Sequence, residues 1–214
     1  KCGLEKKDFV INLSNRKLIQ GLVNQLKINS ANQKLTVIRA IDKLDRIGIA
    51  GVEQLLKKGR KDQSGDFTSG ADLSDAQASE VINFLKLKDI SDIKNILTDK
   101  LAIEGINEIQ KILEGIKYSG YESQINFNPT VVRGLEYYTG AIFEANLTFK
   151  VKNLKGKEVE FGSIGGGGRY DNLVSRFNKI DLPATGISIG LDRLIFALTQ
   201  LEKINYSNKE PVII

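Results

Sequence analysis

The sequence predicts an α+β protein, helical in its first half and built of mostly antiparallel strands in its second. Two observations carry that expectation. From about residue 31 to 120, apolar residues recur at three- and four-residue spacings, the period of helices that bury one face. From about residue 124 the chain turns rich in β-branched and aromatic residues, and alternation replaces the helical period. Helices first and antiparallel strands later define the class. With 214 residues, 41% of them hydrophobic, there is enough chain for one domain carrying an insertion.

Taken in order, DFVINLS over 8–14 alternates as a strand, with Phe9, Ile11 and Leu13 on one face. Leu18, Ile19, Leu22, Val23 and Leu26 then mark a helix. Leu35, Ile38, Ile41 and Leu44 make a second stripe, with Gly48 as its expected stop. Val52, Leu55 and Leu56 make a shorter one, ending near Gly59. Residues 60–73, RKDQSGDFTSGADL, are polar and glycine-bearing and read as a mobile loop. Ser74 opens a capping box closed by Gln77, with Val81, Ile82 and Leu85 lining the helix behind it. A long helix carries Ile103, Ile106, Ile109, Ile112, Leu113 and Ile116 and closes at Gly120. Phe143, Ala145, Leu147 and Phe149 alternate as in a half-buried antiparallel strand, Lys155-Gly156 marks a hairpin turn, and VEFGSI returns. The chain runs through four glycines into RYDNLVSRF, read as a helix. TGISIG then reads as a short buried strand feeding the helix LDRLIFALTQL. No repeat is present.

Composition excludes some chemistry. With no histidine and one cysteine, Cys2, there is neither a zinc site of the usual ligands nor a histidine base. No apolar run approaches the ~20 residues of a membrane helix, and the first residues lack a signal-peptide core. A lone cysteine suits a reducing compartment, so a cytoplasmic protein with no membrane partner is expected. The net charge of +5 is compatible with a nucleic-acid partner without demonstrating one. The chain contains no methionine at all, as expected of an excerpt from a longer chain.

Three segments carry candidate chemistry. In Arg133-Gly-Leu-Glu-Tyr-Tyr-Thr139, an arginine, an acid and two tyrosines fall where a strand is expected. Strand parity would put Tyr137 on the face of Arg133 and Tyr138 on the other, unless a bulge intervenes. A polar sheet edge is the competing reading. In Gly165-Gly-Gly-Gly-Arg-Tyr-Asp171, four glycines make sense if backbone must pass close to a ligand, although a linker would also use them. In Gly186-Ile-Ser-Ile-Gly-Leu-Asp-Arg193, two glycines bracket a short strand, and Arg193 enters the first helical turn against the dipole. Stacking on an aromatic ring would offset that cost, and a surface arginine is the alternative.

RGLEYYTG resembles the signature stretch of histidyl-tRNA synthetases, GGGGRYDNLV the glycine-rich segment that follows it, and GISIGLDRL motif 3 of class II aminoacyl-tRNA synthetases. All three stand in the family's order. The close match covers about 127–198; DFVINLSNRKL is similar to the segment after motif 2, and EPVII to the entry of the anticodon-binding domain. The resemblance implies part of the class II antiparallel sheet with flanking helices, plus a helical insertion. It divides the chain into 1–47 after motif 2, a helical insertion domain over 48–120, and 121–214 with the histidine site and motif 3.

Carried over by position, the resemblance makes Arg133 the residue that contacts the histidine carboxylate and the ATP α-phosphate, doing work that other class II enzymes give to a metal ion. It places Tyr137, Tyr138 and Tyr170 at the histidine pocket, with Gly165 to Gly168 as bare backbone beneath the substrate. Arg193, entered through Gly190, would stack on adenine. The implied activity is joining histidine to tRNA(His) through an adenylate. ATP is a substrate that brings Mg2+, no protein ligand for the metal is identifiable, and the whole enzyme is a homodimer. Motifs 1 and 2 are not found in this chain, so it is expected to be inactive alone. Asp192 stands where glutamate is commoner, and four glycines where fewer are usual. Lys57, Lys58, Arg60 and Lys61 form a basic cluster that could reach phosphates or simply be solvated. The runner-up is the family's non-catalytic paralogue, the regulatory subunit of ATP phosphoribosyltransferase. That paralogue commonly loses the paired tyrosines and the motif 3 arginine, which this sequence keeps.

Overall fold

The computed structural model describes residues 3–134, 137–152, 156–173, 175, 180 and 182–204. Strand β1 (Phe9–Asn15) leads directly into helix α1 (Arg16–Gln25), because the Asn15 side chain accepts the Lys17 N–H and caps the helix. Helices α2 (Ala31–Asp42) and α3 (Leu44–Leu56) follow. The stripe is interrupted first at Lys43, and Gly48 is the expected break: with φ of 66° and ψ of 177° it is non-helical and separates the first turn of α3 from the helix that runs on to Leu56. A glycine tolerates that positive φ, which other residues rarely adopt.

The segment expected as a mobile loop holds a short hairpin, β2 (Gly59–Lys61) against β3 (Phe67–Ser69). Its turn is fastened by Asp62, whose carboxylate accepts from Ser64 and Asp66 N–H groups. This Asx turn replaces the entropy that polarity alone suggested. Ser74 and Gln77 form the expected capping box on α4 (Asp75–Lys86). Gln77 also donates to the Leu26 carbonyl and so ties α4 to the end of α1. Helices α5 (Ile90–Ile96) and α6 (Lys100–Ile116) complete the helical part. One core cluster joins them, with Leu13, Leu18, Leu22, Ile41, Phe84, Ile106 and Ile109 buried together.

The later strands are β4 (Ile125–Phe127), β5 (Ala141–Leu147), β6 (Lys150–Lys152), β7 (Glu158–Glu160), β8 (Ser163–Arg169) and β9 (Thr185–Ile189). Four of them join β1 in the main sheet, in the order β4-β1-β5-β8-β9, antiparallel except for β1 with β4. The expected hairpin is β6 with β7. Helix α7 (Leu191–Gln200) follows β9. Of RYDNLVSRF, expected as a helix, Arg169 ends β8 and residues 172, 173 and 175 are helical, while 174, 176 and 177 lie outside the described residues, as does EPVII wholly. β9 differs from expectation. It is not buried: Ile187 is 62% and Ile189 54% exposed, because β9 is the outermost strand and is paired on one side only. Among the described residues, no helix is long and apolar enough to cross a membrane.

Candidate active site

The sheet register aligns one row of residues across all five strands. Asn126 pairs with Asn12, Asn12 with Glu144, Glu144 with Gly166, and Gly166 with Ser188. Side chains in such a row share a face. Two glycines at positions 166 and 168 leave that face bare where β8 crosses it.

The tyrosine segment is not a strand, which overturns the parity expectation. Gly134 adopts φ of 63°, and its carbonyl accepts from the N–H groups of Tyr137 and Tyr138. Glycine permits the positive φ with which the chain leaves Arg133 at this point. This turn swings both tyrosines to the same side: their ring centroids lie 4.3 Å apart at 49°. Tyr170 stands 6.4 Å from each. The three aromatic residues singled out from the sequence therefore meet.

The glycine strand accepts what the turn delivers. A Cβ at Gly166 would lie 3.3 Å from Arg133 Nη1, and one at Gly168 would lie 2.8 Å from the Tyr138 ring. Arg133 and Tyr138 thus rest on bare backbone. Arg133 is held there by Glu144, with Nε 2.8 Å from Oε1, and Glu144 is largely buried while Arg133 stays half-exposed. The end of the turn is fixed separately. Thr139 N–H donates to the Arg169 carbonyl, the Thr139 hydroxyl donates to Asp171, and Asp171 pairs with Arg169 Nε at 2.9 Å. Burial pushes the Asp171 carboxyl up, but Arg169 and Thr139 outweigh it and hold the group below the usual carboxylate range.

Together these parts line a cleft of about 440 Å³ bounded by Arg133, Tyr137, Tyr138, Gly165, Gly166, Ser188, Gly190 and Arg193. Gly168 and Tyr170 do not line it; they lie against Tyr138, and the Tyr170 ring covers Gly186. Arg193 Nη1 donates to the Ser163 carbonyl at 2.6 Å, which aims its guanidinium along the glycine strand and offsets its place at a helix N-terminus. Burial raises the Tyr138 phenol above its ordinary value, and the neighbouring Tyr137 hydroxyl raises it further. Tyr138 is therefore a neutral hydrogen-bonding group throughout the physiological range. Its raised pKa means that the stability this phenol contributes is intact below pH ~10 and falls as pH rises beyond it. In an alkaline absorbance titration, Tyr138→Phe is expected to remove the last tyrosinate step. Loss of an early step instead would place the buried phenol elsewhere.

Sequence reasoning missed Glu144, Ser188 and the Thr139–Asp171 pair. Glu144 had a readable signal, since it is the one charged residue of β5 and sits on the face opposite Phe143 and Ala145. Thr139 had none, because its partner lies 32 residues away. Of the basic cluster, Lys57 is bound by Glu53 at 2.9 Å and Asp75 at 2.8 Å, which leaves Lys58, Arg60 and Lys61 to face outward contacts.

A mostly antiparallel sheet with an arginine and tyrosines set over a glycine strand, and a second arginine opening the helix after its edge strand, defines a class II aminoacyl-tRNA synthetase fold. The family model described as histidyl-tRNA synthetase matches residues 2–194, and the chain belongs to that family. It is 54% identical over 215 residues to a histidine–tRNA ligase of Pelagibacter ubique and 46% identical over 222 residues to one of Rhizobium leguminosarum. All of this chain is aligned to the first and 99% to the second, but only 46% and 44% of those relatives is covered. The chain thus spans about half the length of the curated relatives it matches. The crystal structure of histidyl-tRNA synthetase from Nostoc sp. PCC 7120 superposes with a TM-score of 0.73 at 30% identity, covering 94% of this chain and 44% of that one. A Bacillus halodurans structure titled as an ATP phosphoribosyltransferase regulatory subunit/histidyl-tRNA synthetase shares the fold, with a TM-score of 0.67 at 21% identity over 89% of this chain and 44% of that one.

Proposed function

We propose that this chain supplies the histidine and ATP contacts of a histidine–tRNA ligase, which activates histidine with ATP and transfers it to tRNA(His). The observation that carries the reading is Arg133, fixed by Glu144 at the mouth of a cleft that also holds Tyr137, Tyr138 and Arg193. Activation requires the histidine carboxylate to attack the α-phosphorus of ATP as pyrophosphate leaves. Two anions must approach, and a permanent cation between them stabilises the charge that develops. Arg133 fills that role, and the neutral Tyr138 phenol can pair with an imidazole nitrogen. Arg193, tethered to Ser163, presents a planar guanidinium for adenine to stack on.

Among the described residues, no three acidic or cysteine side chains converge as a metal site. In the ligase reading Mg2+ enters with ATP, as part of that substrate. In the same reading, residues 48–120 are the insertion domain, Lys58, Arg60 and Lys61 face the RNA, and the whole protein is a cytoplasmic homodimer. The regulatory-subunit reading rests on likeness of fold alone, whereas the tyrosine pair and Arg193 sharing one cleft support the ligase.

The whole protein is expected to catalyse histidine-dependent ATP–pyrophosphate exchange, and the isolated 214-residue chain to show none. A whole protein without exchange that captures an ATP phosphoribosyltransferase catalytic subunit would overturn the ligase reading. Robust exchange by the isolated chain would show that this half of the site suffices.

A further inference from the structure

Two of the signature segments hold residues that the roles above do not use. Thr139 and Gly140 close the tyrosine segment, and Arg169 and Asp171 flank Tyr170 after the glycines. Gly166 and Gly168 face the cleft side of β8, so strand alternation sends the Arg169 side chain to the reverse of the sheet. The helices pack on that reverse face, where Leu13 of β1 is buried with Ile106 and Ile109 of α6. The charge of Arg169 therefore points away from the substrate cleft and towards the helical part of the protein.

What it meets there is Glu108 of α6. A Cβ on Gly140 would lie 3.0 Å from Arg169 Cδ and 3.2 Å from Glu108 Oε2, so the arginine stem and the carboxylate converge on the bare Cα of that glycine. Asp171 first, and Glu108 in addition, push the Arg169 guanidinium above its ordinary value. Glu108 is itself anchored from β1 and α1. Its Oε2 accepts from the buried Asn15 carboxamide at 2.7 Å, and its Oε1 pairs with Lys17 Nζ at 2.7 Å. Charges thus alternate across the reverse of the sheet, from Lys17 to Glu108, Arg169 and Asp171. The last of these accepts from the Thr139 hydroxyl, one residue beyond Tyr138.

We propose that Glu108 is a positioning residue for the histidine pocket, setting the tyrosine turn through Arg169, Asp171 and Thr139 and so tying the pocket to helix α6. The proposal rests on the ligase reading. Arg169 lies in sequence between Gly168, on which Tyr138 rests, and Tyr170, which meets both tyrosines. Its carbonyl also accepts the Thr139 N–H at 2.8 Å. A shift of Arg169 therefore moves the floor of the pocket, its third aromatic ring and the end of its turn together. Without the Glu108 charge, Lys17 and Arg169 are two cations near Gly140 with no anion between them, and each is drawn to its remaining partner, Glu104 or Asp171. The glycine at position 140 acquires a reason as well, since a side chain there would wedge Glu108 and Arg169 apart.

The test measures ATP–pyrophosphate exchange by the whole protein, with melting midpoints to check that each variant folds. Glu108→Gln keeps the size of the side chain and an acceptor for Asn15 while removing the charge. It is expected to raise the KM for histidine about fivefold and to leave kcat and the KM for ATP within about twofold, the pattern of a loosened binding contact. Lys17→Met breaks the neighbouring ion pair but leaves Glu108 facing Arg169, so the histidine KM should stay within about twofold. In an Asp171→Asn background Glu108→Gln should add little, because the link it acts through is already cut. The proposal is overturned if Glu108→Gln leaves the histidine KM unchanged, or if its effect and that of Asp171→Asn simply add. It is also overturned if Lys17→Met reproduces the effect, which would make the cluster a structural staple. A whole protein without any exchange would instead remove the ligase reading, and the proposal with it.

Discussion

Replacing Arg133 by alanine is expected to lower histidine-dependent exchange in the whole protein by about 10²–10³-fold, the usual cost of deleting one preorganised charge-stabilising group. The loss should appear in kcat more than in the KM for histidine, because the cation matters most as charge builds at the α-phosphate. Arg133→Lys restores a charge but not the planar fork that Glu144 holds through Nε, so it should recover little. Glu144→Gln tests the same geometry from the other side. It keeps the shape, removes the ion pair, and should lower kcat by a smaller factor while leaving the tyrosine cluster intact. Should Arg133→Ala retain near-normal kcat, charge stabilisation must come from elsewhere and the site assignment is wrong.

Gly167→Ala is expected to give the largest loss of stability of any single methyl addition in the glycine strand. A Cβ there would meet Phe143 Cε2 at 2.7 Å and Ile187 Cα at 2.8 Å, with the Gly186 carbonyl closer still. Phe143 can turn aside, but the β9 backbone cannot move without breaking its ladder with β8. Overpacking of this kind costs about 1–3 kcal/mol, which lowers the melting midpoint by roughly 2–4 °C per kcal/mol in a chain of this size. Gly166→Ala is the informative comparison. Its nearest obstacles are the Phe143 carbonyl at 3.1 Å and the flexible end of Arg133 at 3.3 Å. It should cost less stability while displacing the arginine, and so lose activity first. Equal melting of Gly167→Ala and the parent chain would mean that β8 and β9 are not packed as described.

Much of this was legible in the residues. The α+β class followed from a change of period near residue 124, which any buried helix or strand face imposes on its sequence. The capping box of Ser74 and Gln77 was readable because both partners lie within four residues. Arg133, Tyr137, Tyr138, Tyr170 and Arg193 could be named as site candidates because the three motifs that hold them resemble those of histidyl-tRNA synthetases; the glycines beside them drew attention to the segments without assigning a role. The errors were local as well. The hairpin at 59–69 looked like a mobile loop, since three-residue strands are too short to show a period. The tyrosine segment looked like a strand, since its aromatic residues outweighed one glycine, whose carbonyl accepts from the Tyr137 and Tyr138 N–H groups and turns the chain.

What the sequence determined by itself is the periods along which the chain folds and, through three short motifs, which residues are candidates for the site, because both are properties of neighbours a few positions apart. What only the tertiary structure decided is how they combine. Glu144 holds Arg133 across eleven residues of chain, Asp171 fastens Thr139 across 32, and Asn12 meets Asn146 across 134. Such pairings depend on sheet register, and register is set by burial of the whole face and by turns distributed along the chain. No short window contains that information, so a cleft between the sheet and the α2–α3 junction beside Arg133 appears only when β1, β5, β8 and those two helices have come together.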